Sequence, residues 1–313
     1  MNVHKIVIPT PYAIGDVNAF LVKGDALTLF DVGPKTTEAY EALKWGIHSA
    51  GYEMSDIEQV VLTHHHPDHA GWVDAFPNAA VLGHEYVDHW MRKTNEFIVY
   101  RNEFYRSNLR LQAVPEEYIE QIVKVRGEME LFGTTPLTQF INDGDEIPGH
   151  PGLIAYYTPG HAQSHLIFVE ENSRVAIGGD LLLDKVASNP LVEPPVDLSN
   201  VRPKSLLQYH HSLILLQNLQ LRKIFAGHGN DIENINDLIS LRLEKDDLRA
   251  KQVLSILSTP KTVLEVTKEL YPSIYKKQLG LTLSKTIGHL DYLEKEEKVK
   301  KQLEGDIYVY YRL

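Results

Sequence analysis

Apolar and polar positions along the chain switch between a two-residue period and a helical one. The opening stretch Met1-Asn2-Val3-His4-Lys5-Ile6-Val7-Ile8-Pro9 reads as a first strand. Residues 18–22 and 26–30 are short apolar runs on either side of Lys23-Gly24-Asp25, the pattern of a hairpin. Over 36–50, Tyr40, Leu43, Ile47 and Ala50 recur at helical spacing, and Gly51 stops the helix. Residues 57–62 form an apolar run rich in β-branched side chains, as a buried strand does, and 79–82 is another short strand. From Trp90 to Leu131 the pattern is helical, with a break near Ala113-Val114-Pro115. Residues 139–141 and 146–147 flank the turn Asn142-Asp143-Gly144-Asp145. Further strands are predicted at 153–157, 166–169, 174–177 and 223–226, with a helix over 203–219. The tail reads as helices at 247–257, 263–270 and 281–298, then strands at 299–302 and 307–312 joined across Leu303-Glu304-Gly305-Asp306.

The polar residues at strand ends carry the chemistry. The strand at 57–62 leads into Thr63-His64-His65-His66-Pro67-Asp68-His69-Ala70-Gly71. Read as His-x-His-x-Asp-His, this puts three imidazoles and a carboxylate into six residues, with His65 as spacer. These are ligands that a borderline cation such as zinc prefers. Four such side chains cannot all reach one tetrahedral ion and leave room for a substrate, so two metals sharing the loop fit better. Later strands end in similar groups: His161 after Thr158-Pro159-Gly160, Asp180 after Gly178-Gly179, and His228 between Gly227 and Gly229. Glycines beside a ligand let the backbone approach closely. Asp31, followed by Val32-Gly33, is expected to support a ligand rather than cap the next helix. His165 is expected to be structural or supporting as well. His84 and His89 imitate a second cluster, but five residues on a helix turn them roughly 140° apart, so they read as helical polars. His210 and His211 read as packing or surface residues.

Composition narrows the chemistry. The chain has no cysteine, which excludes disulfides and thiolate sites and leaves any metal to His, Asp and Glu. Its 313 residues can bury one large core, or one core and a small second domain. No apolar run is long enough to span a bilayer. The polar start is too short for a secretion signal, which makes the cytoplasm the expected compartment. The net charge of −11 is uneven. Leu241 to Leu313 carries 14 basic against 11 acidic side chains, and the first 240 residues carry 17 against 31. A body this acidic suits bound cations and is a poor platform for a polyanion.

Taken together, Asp31-Val32-Gly33, His64-x-His66-x-Asp68-His69, Thr158-Pro159-Gly160-His161, Gly178-Gly179-Asp180 and Gly227-His228-Gly229 resemble the metallo-β-lactamase superfamily of hydrolases, over residues 1 to 240. The resemblance implies an α/β fold, a four-layer αββα sandwich with two divalent ions at one edge of its sheets. By the same resemblance His64, His66 and His161 hold one metal, Asp68, His69 and His228 the other, and Asp180 bridges both. Zinc is the expected metal, with manganese and iron as alternatives. One departure is that many members continue the His161 motif as Gly-His-Thr-x-Gly-His, whereas here it is Gly160-His161-Ala162-Gln163-Ser164-His165. It removes no ligand.

Two such ions lower the pKa of a shared water to near neutrality, and the hydroxide attacks a carbonyl or phosphoryl centre. Asp68 is the expected catalytic residue, orienting the nucleophile and passing its proton to the leaving group. The expected domains are a catalytic one at 1–244, with a helical insertion at about 84–131, and a tail at 245–313. The tail resembles the winged helix of some superfamily hydrolases, among them glyoxalase II-like enzymes. Its 281–298 helix mixes Lys285, Lys295 and Lys298 with Asp291, Glu294, Glu296 and Glu297, unlike a basic recognition helix. A structural role or a homodimer contact is the expectation for it. The aromatic insertion and the acidic body favour a small ester, thioester or lactone as substrate. A phosphodiesterase or ribonuclease on the same metal core is the alternative, which makes nucleic acid the less favoured partner. A non-enzymatic, metal-bound regulator is the third reading. No membrane partner is expected.

Overall fold

The structure is a computed structural model that describes residues 2–125 and 129–313. Met1, in the expected first strand, and 126–128, in the expected helical stretch, lie outside the described residues. The described residues form two compact units. The first takes its residues from Met1–Thr94, Met129–Ser188 and Ser212–Ile239, the second from Asn95–Glu128, Asn189–His211 and Ser240–Leu313.

The first unit contains two sheets. One has the order β1 (Val3–Ile8), β2 (Val17–Lys23), β3 (Leu27–Phe30), β4 (Gln59–Val61), β5 (Ala80–Gly83) and β6 (Gln139–Phe140). β1 to β3 are antiparallel, and β3 to β6 are parallel. The other sheet has the order β10 (Lys223–Ala226), β9 (Val175–Gly179), β8 (Leu166–Glu170) and β7 (Leu153–Tyr157), parallel only between β9 and β10. Phe20, Val22, Phe30, Val61 and Leu82 of the first sheet share one core cluster with Leu153, Ala155, Leu166, Phe168 and Ile177 of the second. The alternation along β2, β7 and β8 aims every second side chain into this layer. Strands β2 to β4 are buried on both faces apart from Lys23. Helix α1 (Thr37–Ser49) is capped by Thr36, whose side chain accepts from Ala39 N, and buries Ala39, Leu43, Gly46 and Ile47. The short α2 (Pro67–Ala70) has proline at its first turn, where no backbone donor is lost. Helix α3 (Glu85–Arg92) starts at His84, whose ring accepts from Tyr86 N.

A polar staple ties three loops of this unit. Asp74 accepts from the Lys35 ammonium, from the backbone N–H groups of Thr134 and Thr135, and from both threonine hydroxyls. Burial acts to raise its pKa, but Lys35 and the Thr134–Thr135 donors hold it at about 2, below the usual 3.8. The ionised form therefore favours the fold. Its contribution is complete above a pH of about 4 and disappears as the pH falls towards 2. Asp74→Ala is expected to cost about 1–2 kcal/mol near neutral pH, allowing for partial exposure. In urea unfolding series the gap between wild type and variant should close as the pH falls from 4 to 2. A gap that does not change with pH would show that the charge contributes nothing.

The second unit contains α4 (Asn95–Leu111), α5 (Glu116–Val125), α8 (Val263–Leu270), α9 (Leu279–Lys295) and the hairpin of β11 (Val299–Glu304) and β12 (Ile307–Arg312). The unit division passes through α6 (Ser205–Asn218) and α7 (Ile235–Ile256). This differs from a linear boundary at 244/245. Residue 244 lies inside α7, which begins twelve residues before the helix expected from 247. The expected insertion is divided too: α3 belongs to the first unit, α4 and α5 to the second. Packing is the reason. Phe104, Tyr105 and Leu109 of α4 and Ile119, Ile122 and Val123 of α5 share one cluster with Val253, Val263, Leu283, Ile287 and Leu290. Lys261 pairs with Tyr310 through both backbone groups, at 3.1 and 2.9 Å, extending the hairpin by a short third segment. Arg202 donates two 2.7 Å hydrogen bonds to Asp291. Among the described residues, no helix is long and apolar enough to cross a membrane.

Candidate metal centre

The seven predicted ligands all converge at one edge of the first unit. Parallel pairing brings the ends of β3 and β4 side by side, and likewise those of β9 and β10. Asp31, His64, Asp180 and His228 follow those four ends. Leu166 N donates to Thr63 O and Asn18 N to Gly227 O, so the histidine loop and the His228 turn are each held by a strand of the opposite sheet. His161 lies in the turn from β7 to β8. Glycine is required at two of these corners. Gly179 has a φ of +46°, and a Cβ at Gly227 would lie 2.3 Å from Asp180 Oδ1.

Within the first unit, ligand atoms lie within 4.8 Å of one another in three linked sets: His64, His66 and His161; His64, His69 and Asp180; Asp68, His69 and His228. His66 Nδ1 is 3.0 Å from both His64 Nε2 and His161 Nε2. Nitrogens around a tetrahedral zinc stand roughly 3.3 Å apart, so the spacing fits an ion. Asp180 is central. Its Oδ1 is 3.4 Å from His69 Nε2, and its Oδ2 is 3.6 Å from His161 Nε2 and 3.5 Å from His228 Nε2. Asp68 Oδ2 is 3.4 Å from His228 Nε2. His69 Nε2, Asp180 Oδ1 and His228 Nε2 are buried and make no hydrogen bond. Buried polar atoms normally have partners. These three have the chemistry of metal ligands, and the donor set fits divalent cations.

Hydrogen bonds behind the ligands fix their orientation. Asp31 Oδ2 accepts from His69 Nδ1 at 2.7 Å and from the Thr63 hydroxyl at 2.8 Å, and Oδ1 accepts from Thr63 N. Since Thr63 Oγ1 donates to Asp31, it must accept from His64 Nδ1, 2.9 Å away. Asp16 O accepts from His228 Nδ1 at 2.7 Å. In these three rings Nδ1 is held by an acceptor behind the site, which turns Nε2 inward. Ser188 Oγ pairs with His161 Nδ1 at 2.9 Å. Asp31 reaches this position in a left-handed backbone conformation, φ +59°, which aspartate tolerates better than most residues.

The field differs from one candidate ligand to the next. Burial acts to lower the pKa of His69, but Asp180 and Asp31 outweigh it and hold the pKa well above the usual range. Burial would raise Asp180, yet His69 and His228 keep it well below the carboxylate norm. Asp68 is lowered against burial by His228 and His69. Burial lowers His64 well below the usual value, and His69 and His66 add to the effect.

The Metallo-beta-lactamase superfamily matches residues 13–228. The chain belongs to the metallo-β-lactamase superfamily. It is 40% identical to the probable metallo-hydrolase YqjP of Bacillus subtilis over 99% of this chain and 98% of that one. A metallo-beta-lactamase family protein of Thermus thermophilus has a similar structure, with a TM-score of 0.76 and 28% identity, covering 99% of this chain and 98% of the other. Over 123 residues the chain is 27% identical to the atrochrysone carboxyl ACP thioesterase of Aspergillus fumigatus, covering 39% of this chain and 35% of that one. The fold is the α/β fold of the superfamily, and the protein is a metallo-hydrolase with candidate His/Asp metal sites.

The histidines set aside in the sequence lie outside the three linked sets. His65 is buried, with its Nδ1 2.8 Å from Ser164 Oγ and its ring stacked 4.5 Å from Trp90. His84 caps α3 and stacks on Tyr157 at 4.9 Å. His210 Nε2 pairs with Asp246 at 3.0 Å. The aromatics of the 90–131 stretch mostly pack inward: Phe97, Phe104 and Tyr105 are buried, and Trp90 also stacks on Phe132 at 5.6 Å. Ser188 and the Asp16 carbonyl, which hold ligand rings, have no signature in the sequence.

Proposed function

We propose that the protein is a dinuclear metal-dependent hydrolase of a small carbonyl substrate, an ester, thioester or lactone. The observation that carries the dinuclear part is the convergence of the unpartnered His69 Nε2, Asp180 Oδ1 and His228 Nε2 beside the His64–His66–His161 nitrogens. In this reading His64, His66 and His161 hold one ion, Asp68, His69 and His228 the other, and Asp180 faces both. Zinc suits the nitrogen-rich set. Such a pair, when bound, supplies a hydroxide near neutral pH and draws charge from a substrate oxygen. Asp68 is the catalytic residue. Its carboxylate stays ionised beside His228 and can take a proton from the attacking water and deliver it to the leaving group. Asp31 and Thr63 keep the His64 and His69 lone pairs aimed inward throughout. The C-terminal helices and hairpin are read as a winged-helix-like support.

Two observations support the carbonyl class. One relative is named as a thioesterase. The first 240 residues carry 31 acidic against 17 basic side chains, which opposes a polyanionic substrate. The test is one metal-loaded preparation assayed on a thioester, a lactone, a phosphodiester dye and single-stranded RNA. Thioester or lactone turnover should exceed the others by at least about tenfold, a barrier difference of roughly 1.4 kcal/mol. Dominant RNA cleavage that weakens steeply with salt would overturn the carbonyl class.

A further inference from the structure

Resting on the dinuclear reading, we infer that His165 is the positioning residue that aims the Asp180 carboxylate. The ring is fully buried, and no step of the proposed chemistry uses it. Its Nε2 lies 3.0 Å from Asp180 N. A backbone N–H can only donate, so Nε2 must carry the lone pair. The proton of the neutral ring is then on Nδ1, which donates to Thr158 Oγ1 at 2.8 Å. The Thr158 hydroxyl proton turns to His165 O at 3.5 Å. Thr158 thus sets the tautomer that allows His165 to accept.

The same peptide unit is held at its other end. Gly179 O accepts from Gly227 N at 2.7 Å. With C=O and N–H both engaged, the plane between Gly179 and Asp180 is held against rotation, which narrows the directions open to the Asp180 Cα–Cβ bond. The left-handed conformation of Gly179 makes this restraint necessary, because a glycine on the N-terminal side offers little resistance of its own. A Cβ at Gly179 would come within 2.8 Å of His165 Nε2, so the glycine also makes room for the ring. His165, with both ring nitrogens engaged, therefore acts through Asp180.

The experiment uses the full chain with zinc as probe, and reads zinc stoichiometry and affinity by competition with a chromophoric chelator, alongside kcat and KM. His165→Leu keeps bulk and loses the acceptor. His165→Gln keeps an oxygen that can accept from Asp180 N. Asp180→Asn serves as reference. His165→Leu should bind zinc roughly 10–100-fold more weakly and lose kcat with little change in KM, and His165→Gln should recover most of the affinity. If His165→Leu does not fold, Thr158→Val replaces it, with a smaller loss in the same direction. Long-range 15N–1H spectra should show the Nδ1–H tautomer of His165 in the wild type and its depletion in Thr158→Val. Wild-type zinc affinity in His165→Leu, a glutamine variant no better than the leucine one, or an Nε2–H tautomer in the wild type would each overturn the inference while leaving the dinuclear reading intact. A wild type that takes up no zinc would bring down both.

Discussion

Replacing Asp180 with alanine is expected to lower turnover roughly 10³-fold, as befits several kcal/mol of lost charge stabilisation. The carboxylate has one oxygen 3.4 Å from His69 Nε2 and the other 3.5 Å from His228 Nε2 and 3.6 Å from His161 Nε2, so no neighbour can take its place. Removing it leaves imidazoles and incoming cations without the anion they share. His65→Ala provides the contrast. That ring packs on Trp90 and Ser164 and contributes nothing to the three linked sets, so the cost there is about 1–3 kcal/mol of stability and at most roughly tenfold in rate. Steady-state kinetics on the best substrate, with circular dichroism to confirm folding, makes the comparison. Equal activities would mean that the ligand motif has been misassigned.

The purified chain is expected to contain close to two divalent ions, and stripping them should abolish activity and lower the midpoint of thermal unfolding. A cluster of buried imidazoles and carboxylates with unpartnered inward atoms is unfavourable without cations, so ions are expected to bind the folded state strongly. With free metal at about a thousand times Kd, each site adds roughly 4 kcal/mol. The check is elemental analysis under non-chelating conditions, followed by calorimetry before and after chelation and after returning zinc or manganese. A chain that holds no metal, regains no activity and unfolds at the same temperature with or without zinc would end the dinuclear reading.

The candidate ligands were legible because the sequence concentrates them where strands stop. His64, His66, Asp68 and His69 are crowded into one loop, and Asp180 and His228 stand beside glycines that later prove necessary at Gly179 and Gly227. Asp31 was legible for the same reason. Ser188 was not, since it lies 27 residues from His161 with no fixed spacing to it. The Asp16 carbonyl could not be, since any residue has one. The start of α7 was obscured because the helix does not keep one apolar stripe: Ile239 and Arg242 are buried, whereas Leu241 and Leu248 are exposed. The division of the insertion between two units was hidden for another reason. Its helical pattern showed that α4 and α5 have apolar faces, and periodicity does not say which surface will cover them.

That packing has a consequence for the nascent chain. The apolar faces of α4 and α5 leave the ribosome long before α8 and α9, whose Val263, Leu283 and Ile287 will cover them. His228 also emerges late, so the candidate centre stays incomplete until most of the protein has been made. Until the last helices are synthesised, Phe104, Tyr105 and Ile119 present sticky surface to chaperones and to other unfinished chains. Messages cut short before α8 should therefore give aggregates or rapidly degraded fragments rather than a smaller working enzyme.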